Sequence, residues 1–248
     1  MKYLFANWKM YLKEKDALAL AKLLRGMKLS KKVTAVAMPS TLHVSAVKRL
    51  LGKVPFGLQD VGAVEYGAAT GESSAFEAKR FGAKYCLVGH SERRKAGEND
   101  LLIGRKFATA LKAGLVPVLC VGETHDERAA GRAIEVVLEQ IEAAVKEANH
   151  LLETKKFIVA YEPVWAIGTG VACMPKDVAE MHLIIRKELS MLVGEKGQAA
   201  PILYGGSVDP QNVAEYLALP VVDGVLVGGA STKSLELKAL LKILCSQP

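Results

Sequence analysis

Residues 157–163 read Phe157-Ile158-Val159-Ala160-Tyr161-Glu162-Pro163, an unbroken apolar run closed by a carboxylate and a proline. A strand with one wet face alternates apolar and polar side chains, so a continuous run suits a strand buried on both faces. Similar short runs recur at Tyr3 to Ala6, Val33 to Met38, Phe56 to Leu58, Tyr85 to Val88, Val116 to Val121, Ile202 to Tyr204 and Val221 to Val227. Between them, apolar residues return every three or four positions, most clearly over Ala17 to Leu24, Leu101 to Leu111, Ile134 to Ala148 and Val178 to Leu192. Strands that alternate with helices are joined by crossovers and therefore lie parallel. Eight such units in 248 residues predict an α/β fold, an eight-stranded parallel β/α barrel, as a single domain over residues 1–248. No stretch resembles a linker or a low-complexity segment.

An open doubly wound sheet has the same periodicity, but its dinucleotide fingerprint is missing. The nearest match, Gly168-Thr169-Gly170-Val171-Ala172-Cys173, lacks the third glycine, and there is no Walker loop or HExxH helix. Cys86, Cys120, Cys173 and Cys245 form no CxxC pair and have no metal-ligand spacing, so they read as buried free thiols in a reducing compartment. Neither a metal nor another cofactor is expected. Met1 to Met10 contains Asn7, Trp8 and two lysines, which is unlike a signal peptide or a membrane span. These features predict a cytoplasmic protein with no membrane partner. The net charge of +7 is spread along the chain. It is compatible with an anionic ligand and equally with an ordinary basic surface, and no nucleic-acid-binding motif accompanies it.

In a β/α barrel, chemistry is carried at the C-terminal ends of the strands. The polar residues there are Asn7 and Lys9 after the first strand, His90 and Glu92 after the fourth, and Glu162 after the sixth. Gly205-Gly206-Ser207 follows the seventh strand and Gly228-Gly229 the eighth. Singly, each has an ordinary reading: a structural histidine, a solvated acid, a surface lysine, a turn asparagine, tight glycine turns. Together they supply a base, a neutral acid, a cation and two glycine turns, which is what a phosphorylated carbonyl substrate needs. Gly89 to Arg93 and Gly205 to Asp209 each hold a serine near glycine, but neither completes GxSxG, which argues against a nucleophile elbow.

Seven segments match one family in order and spacing: Ala6 to Met10, Thr70 to Glu72, Gly89 to Arg94, Cys120 to Glu123, Ala160 to Gly170, Tyr204 to Val208 and Val227 to Ala230. On them the chain resembles the triosephosphate isomerases nearly from end to end. The resemblance implies a cofactor-free isomerase that interconverts dihydroxyacetone phosphate and glyceraldehyde 3-phosphate through an enediolate. Glu162 would be the base and His90 the neutral electrophile, with Asn7 and Lys9 stabilising the enediolate oxygens. Glu92 would support Lys9 or relay protons; two residues past His90 on an extended segment, it would share the face of His90. The alternative is that Glu92 only orders its loop through Arg93 or Arg94. The phosphate would lie against Gly168, Ser207, Gly228 and Gly229. A lid would run through Pro163, Val164, Trp165, Ala166, Ile167, Gly168, Thr169, Gly170, Val171, Ala172 and Cys173. The resemblance also implies a homodimer in which the loop Tyr66 to Ser73, with Ala69, Thr70, Gly71 and Glu72, supports the partner's site.

The chain departs from the family pattern at three places. Val171, Ala172 and Cys173 stand where a lysine, a small β-branched residue and an alanine are usual, which puts the second lid hinge in question. Cys173 is either a packed sulfur or a thiol reactive in the open state. Ala69 replaces a docking aromatic, and the loop after Arg94 is a residue shorter and lacks its usual aromatic. These losses predict a weaker dimer, with Tyr11 a candidate to fill the space. The competing readings are another sugar-phosphate barrel enzyme and a non-catalytic barrel that binds a phosphometabolite.

Overall fold

The computed structural model describes residues 1–167 and 172–247. Eight strands lie parallel: β1 Lys2–Asn7, β2 Val33–Met38, β3 Gly57–Leu58, β4 Tyr85–Val88, β5 Val116–Val121, β6 Ile158–Tyr161, β7 Ile202–Tyr204 and β8 Gly224–Val227. Their order is β2-β1-β8-β7-β6-β5-β4-β3, and a parallel bridge between Ala37 and Phe56 joins the two ends of the sheet. A sheet whose ends meet is a barrel, as the strand-helix alternation predicts.

The closure explains the unbroken apolar runs. Phe5, Val36, Met38, Leu87, Ile158, Ala160, Leu203 and Leu226 belong to one buried cluster inside the barrel. Leu4, Ala6, Val88, Val159, Tyr161 and Val225 alternate with them and belong to the larger cluster shared with the helices. On β6, Ile158 and Ala160 therefore face the barrel axis while Val159 and Tyr161 face outward, so neither face can be polar.

The four helical patterns appear as Glu14–Gly26, Asp100–Lys112, Ala133–Ala148 and Pro175–Val193. Their inner faces supply Leu20, Leu24, Ile103, Phe107, Ile141 and Ile185 to the outer cluster. Asn99 starts the second helix by accepting from the Leu102 N–H at 2.9 Å. Three strands are shorter than their apolar runs, β6 by one residue because it begins at Ile158. Phe56 contributes only the closing bridge, and the run from Val221 begins in a turn in which the Val222 N–H donates to Leu219 O. Cys86, Cys120 and Cys173 are buried free thiols, whereas Cys245 is only half-buried.

Candidate active site

A cavity of about 690 Å³ opens at the C-terminal end of the barrel, and Asn7, Lys9, His90, Glu162, Ser207 and Gly228 contribute to its lining. Glu162 leaves β6 with its N–H bonded to Val121 O at 2.7 Å, and the residue is only 2 % exposed. Its Oε2 accepts from the Ser91 N–H at 3.1 Å, while Oε1 lies 3.4 Å from His90 Nε2. Two glycines make room for it. A Cβ on Gly122 would stand 1.8 Å from Glu162 O, and one on Gly205 would stand 2.8 Å from Glu162 Cγ.

His90 caps the short helix Ser91–Lys95, and its Nδ1 accepts the Glu92 N–H at 3.2 Å. An N–H aimed at Nδ1 makes that nitrogen an acceptor, so the neutral ring carries its proton on Nε2, the atom facing Glu162 and the cavity. The expected extended segment after His90 is thus a helix. Glu92 reaches Lys9 from its first turn rather than by alternation, with Lys9 Nζ 2.8 Å from Glu92 Oε1. Burial works to raise the Glu92 pKa, but the Lys9 hydrogen bond and charge outweigh it and hold the carboxyl below its ordinary value.

Among the described residues Glu92 forms no ion pair with Arg93 or Arg94, which are engaged elsewhere. Arg94 bonds Gly89 O and Asp100, and Arg93 pairs with Glu98 and Asp60. Buried Lys106 completes that cluster, 2.6 Å from Glu98 and 2.7 Å from Asp60. The two acids respond oppositely: burial raises the Asp60 pKa, while Lys106 and Arg93 overcome burial at Glu98 and lower it.

Lys9 has a left-handed backbone, φ 46°. Its N–H donates to Asn7 Oδ1 at 3.1 Å, and its carbonyl accepts from Gln59 Nε2 at 2.9 Å. Gln59 also donates to Met38 O at 2.9 Å, which ties this turn to the end of β2.

Of the expected phosphate contacts, Ser207, Gly228 and Gly229 come together on the cavity wall. Ser207 Oγ donates to Ala166 O at 2.5 Å, and Gly229–Thr232 forms a 3₁₀ turn. Gly168, the fourth, lies outside the described residues, as do Thr169, Gly170 and Val171 of the expected lid.

The two described ends of that segment are each anchored. Pro163 leads into the 3₁₀ turn Val164–Ala166, from which Trp165 Nε1 donates to Glu123 Oε1 at 2.8 Å. Glu123 is wholly buried and also accepts from Tyr161 OH at 3.1 Å and Arg128 at 3.0 Å. Beyond Ala172, the Cys173 N–H donates to Tyr204 Oη at 3.2 Å, and Tyr216 OH donates to Cys173 O at 2.7 Å. The Cys173 thiol is buried and pushed up to about 12, chiefly by desolvation, so it is a packed sulfur in this conformation.

In the expected docking loop, Thr70, Gly71 and Glu72 are exposed and Ala69 is half-buried. Tyr11 stands on the rim of the cavity, 64 % exposed. Sequence reasoning gave no role to Gln59, Ser91, Glu123, Tyr204 or Tyr216. Glu123 alone had a local signal, a lone acid closing the apolar strand Val116–Val121.

A family model described as triosephosphate isomerase matches residues 2–244. The chain belongs to the triosephosphate isomerase family. It is 43 % identical over 241 residues to the triosephosphate isomerase of Pseudomonas aeruginosa strain PAO1, covering 95 % of each chain. It is 39 % identical over 250 residues to that of Shewanella denitrificans, covering 97 % of this chain and 96 % of the relative. Membership of the triosephosphate isomerase family agrees with the closed eight-stranded barrel and extends the likeness over nearly the whole sequence.

Proposed function

We propose that this chain is an isomerase that interconverts dihydroxyacetone phosphate and glyceraldehyde 3-phosphate by proton transfer through an enediolate. The observation that carries the reading is the convergence of a buried carboxylate, an imidazole and an ammonium on one cavity from three strand ends. Glu162 is the base. To reach a carbon-bound proton, its carboxylate leaves the Ser91 N–H, a short swing within the cavity it already lines. His90 Nε2–H is the donor to the developing oxyanion and returns the proton between the two oxygens. Lys9, aimed by Glu92, and Asn7 stabilise the enediolate with fixed charge and dipole, so little reorganisation accompanies the reaction. Lys9 and Asn7 also bind substrate.

The phosphate rests on the amides of Gly168, Ser207, Gly228 and Gly229, and at the three glycines the missing side chain permits close approach. Pro163 to Cys173 closes over it between the Trp165–Glu123 and Cys173–tyrosine anchors and excludes water from the intermediate. The protein works in the cytoplasm as a homodimer joined through Tyr66 to Ser73. Ala69 brings less apolar area to that contact than an aromatic would, by on the order of one to several kcal/mol per site.

Coupled assay of the purified chain in both directions tests the reading, with the Glu162→Gln variant beside it. Robust turnover in the parent and near-complete loss in the variant are expected. A parent that binds but does not isomerise the triose phosphates would overturn it.

A further inference from the structure

The active cavity leaves the net charge of +7 unexplained. Lys9 and Lys233 line it against Glu162, Asp209 and Glu236, and the two lysines are paired with Glu92 and Glu236. At the opposite, N-terminal end of the barrel lies a second cavity, of about 390 Å³. Four lysines line it, and they come from separate parts of the chain. Lys84 precedes β4, Lys155 and Lys156 precede β6, and Lys196 lies on the helix Glu195–Ala199 before β7. No aspartate or glutamate lines this cavity, and among the described residues none of these four ammonium groups has a carboxylate within 4 Å.

Ammonium groups that share one concavity repel one another, and on an ordinary solvated surface interspersed acids relieve that repulsion. Here the chain brings four together around a concavity, and Asp223, the acid that acts on its Tyr3 wall, is already paired with Arg186 at 2.8 Å. Beneath the lysines the lining is apolar: Tyr85, Phe157 and Ile158 are almost wholly buried, the Lys84 ammonium stands 5.4 Å over the Tyr85 ring, and the half-buried Tyr3 is the aromatic left partly open to the cavity. Tyr85 is braced edge-on by Phe5 at 5.0 Å between ring centroids, and Phe5 stacks on Tyr3 at 6.2 Å. Neither tyrosine hydroxyl has a protein partner among the described residues, and burial raises both phenol pKa values, so both remain donors at neutral pH. The volume falls within the roughly 300–1,000 Å³ of small-molecule sites, which favours a discrete ligand over a flat polyanionic surface.

We propose that this cavity binds a nucleoside di- or triphosphate, with the phosphates on Lys84, Lys155, Lys156 and Lys196 and the base against the half-buried Tyr3 ring. A purely inorganic polyphosphate satisfies the lysines but leaves the Tyr3 ring uncovered, and a nucleoside does the reverse. The site is separate from the active cavity, and its occupant requires no chemistry.

Calorimetry on the intact protein at low salt separates these terms with three probes: ATP, inorganic tripolyphosphate and adenosine. ATP is expected to bind at least ten-fold more tightly than either of the others. The combined Lys155→Gln, Lys156→Gln and Lys196→Gln substitutions are expected to weaken ATP at least ten-fold while kcat/KM for triose phosphate stays at the parent value. Tyr3→Leu should bring ATP down to the level of tripolyphosphate; because Tyr3 is half-buried, the exposed Lys196→Gln change alone serves as a second, fold-neutral probe and should weaken ATP measurably. Equal binding of tripolyphosphate and ATP by the parent, or ATP affinity untouched by the lysine substitutions, would overturn the proposal.

Discussion

Tyr216→Phe is expected to loosen the anchor at Cys173, one end of the proposed lid, without unfolding the protein. Tyr216 comes from the helix Val213–Leu217, is almost wholly buried, and stacks on Tyr204 with ring centroids 4.3 Å apart. Between them the two hydroxyls hold both polar groups of Cys173, the carbonyl at 2.7 Å and the N–H at 3.2 Å. Phenylalanine keeps the ring and creates no cavity, so the change removes one donor and leaves a buried carbonyl unsatisfied. That costs about 1–3 kcal/mol, and it is charged only to the docked arrangement of Cys173. The undocked population should therefore rise about 5- to 150-fold. Cys173 itself reports this, since its buried, high-pKa thiol reacts only when released. In a Cys245→Ser background, which removes the one half-buried thiol, maleimide labelling should accelerate by at least five-fold, and kcat/KM should fall. If labelling is unchanged while the melting temperature drops, the lost hydrogen bond supports the whole fold, and the assignment of Tyr216 to the lid anchor is wrong.

Glu162→Asp should cut kcat by roughly a hundred-fold, because it withdraws the carboxylate about an ångström from its target, with Glu162→Gln worse; near-parental turnover in either would remove Glu162 as base. The proposed homodimer should dissociate readily and lose activity on dilution, and a dimer intact at the lowest concentration in sedimentation would contradict that. His182 is buried with Nε2 unpartnered, and desolvation, the largest cause, lowers its pKa to about 4. Between pH 6.5 and about 4 the unfolded chain binds a proton there that the native one does not, so stability should fall as pH drops, by about 3 kcal/mol at most. Denaturation of parent and His182→Gln over that range should give a shallower slope for the variant, and parallel slopes would refute this account.

The barrel was legible in the sequence because its strands are buried on both faces, and a continuous run such as Ile158 to Tyr161 has few other uses. The gathering of Glu162 and His90 on one cavity was legible for a related reason: both are polar residues placed where such strands stop. What stayed hidden depends on long-range contacts. Tyr216 and Cys173 are 43 positions apart, and Gln59 and Lys9 are 50 apart; neither member of either pair marks the other by any local pattern. The helix Ser91–Lys95 escaped because five polar residues have no apolar period, and because its cap is a histidine rather than serine, threonine, aspartate or asparagine. The four lysines of the N-terminal cavity are invisible as a group until β4, β6 and β7 bring them round.

Energetics separates two roles around Lys9 that geometry alone would merge. A non-glycine residue held at φ 46° costs on the order of 1–3 kcal/mol, so something must offset it. The Lys9–Glu92 pair is a poor candidate. Its side chains are 14 % and 56 % exposed, and pairs this open to water contribute about 0–1 kcal/mol. Gln59 is better placed: one amide nitrogen serves both Lys9 O and Met38 O at 2.9 Å, partly buried, and each such bond is worth about 0.5–1.5 kcal/mol. Asn7 adds a third bond, to the Lys9 N–H. The backbone of Lys9 is therefore held by Gln59 and Asn7, while Glu92 orients the ammonium group that the backbone delivers. The helix begun by His90 links the two sides of the cavity, since the same short turn presents Glu92 to Lys9 and the Ser91 N–H to Glu162.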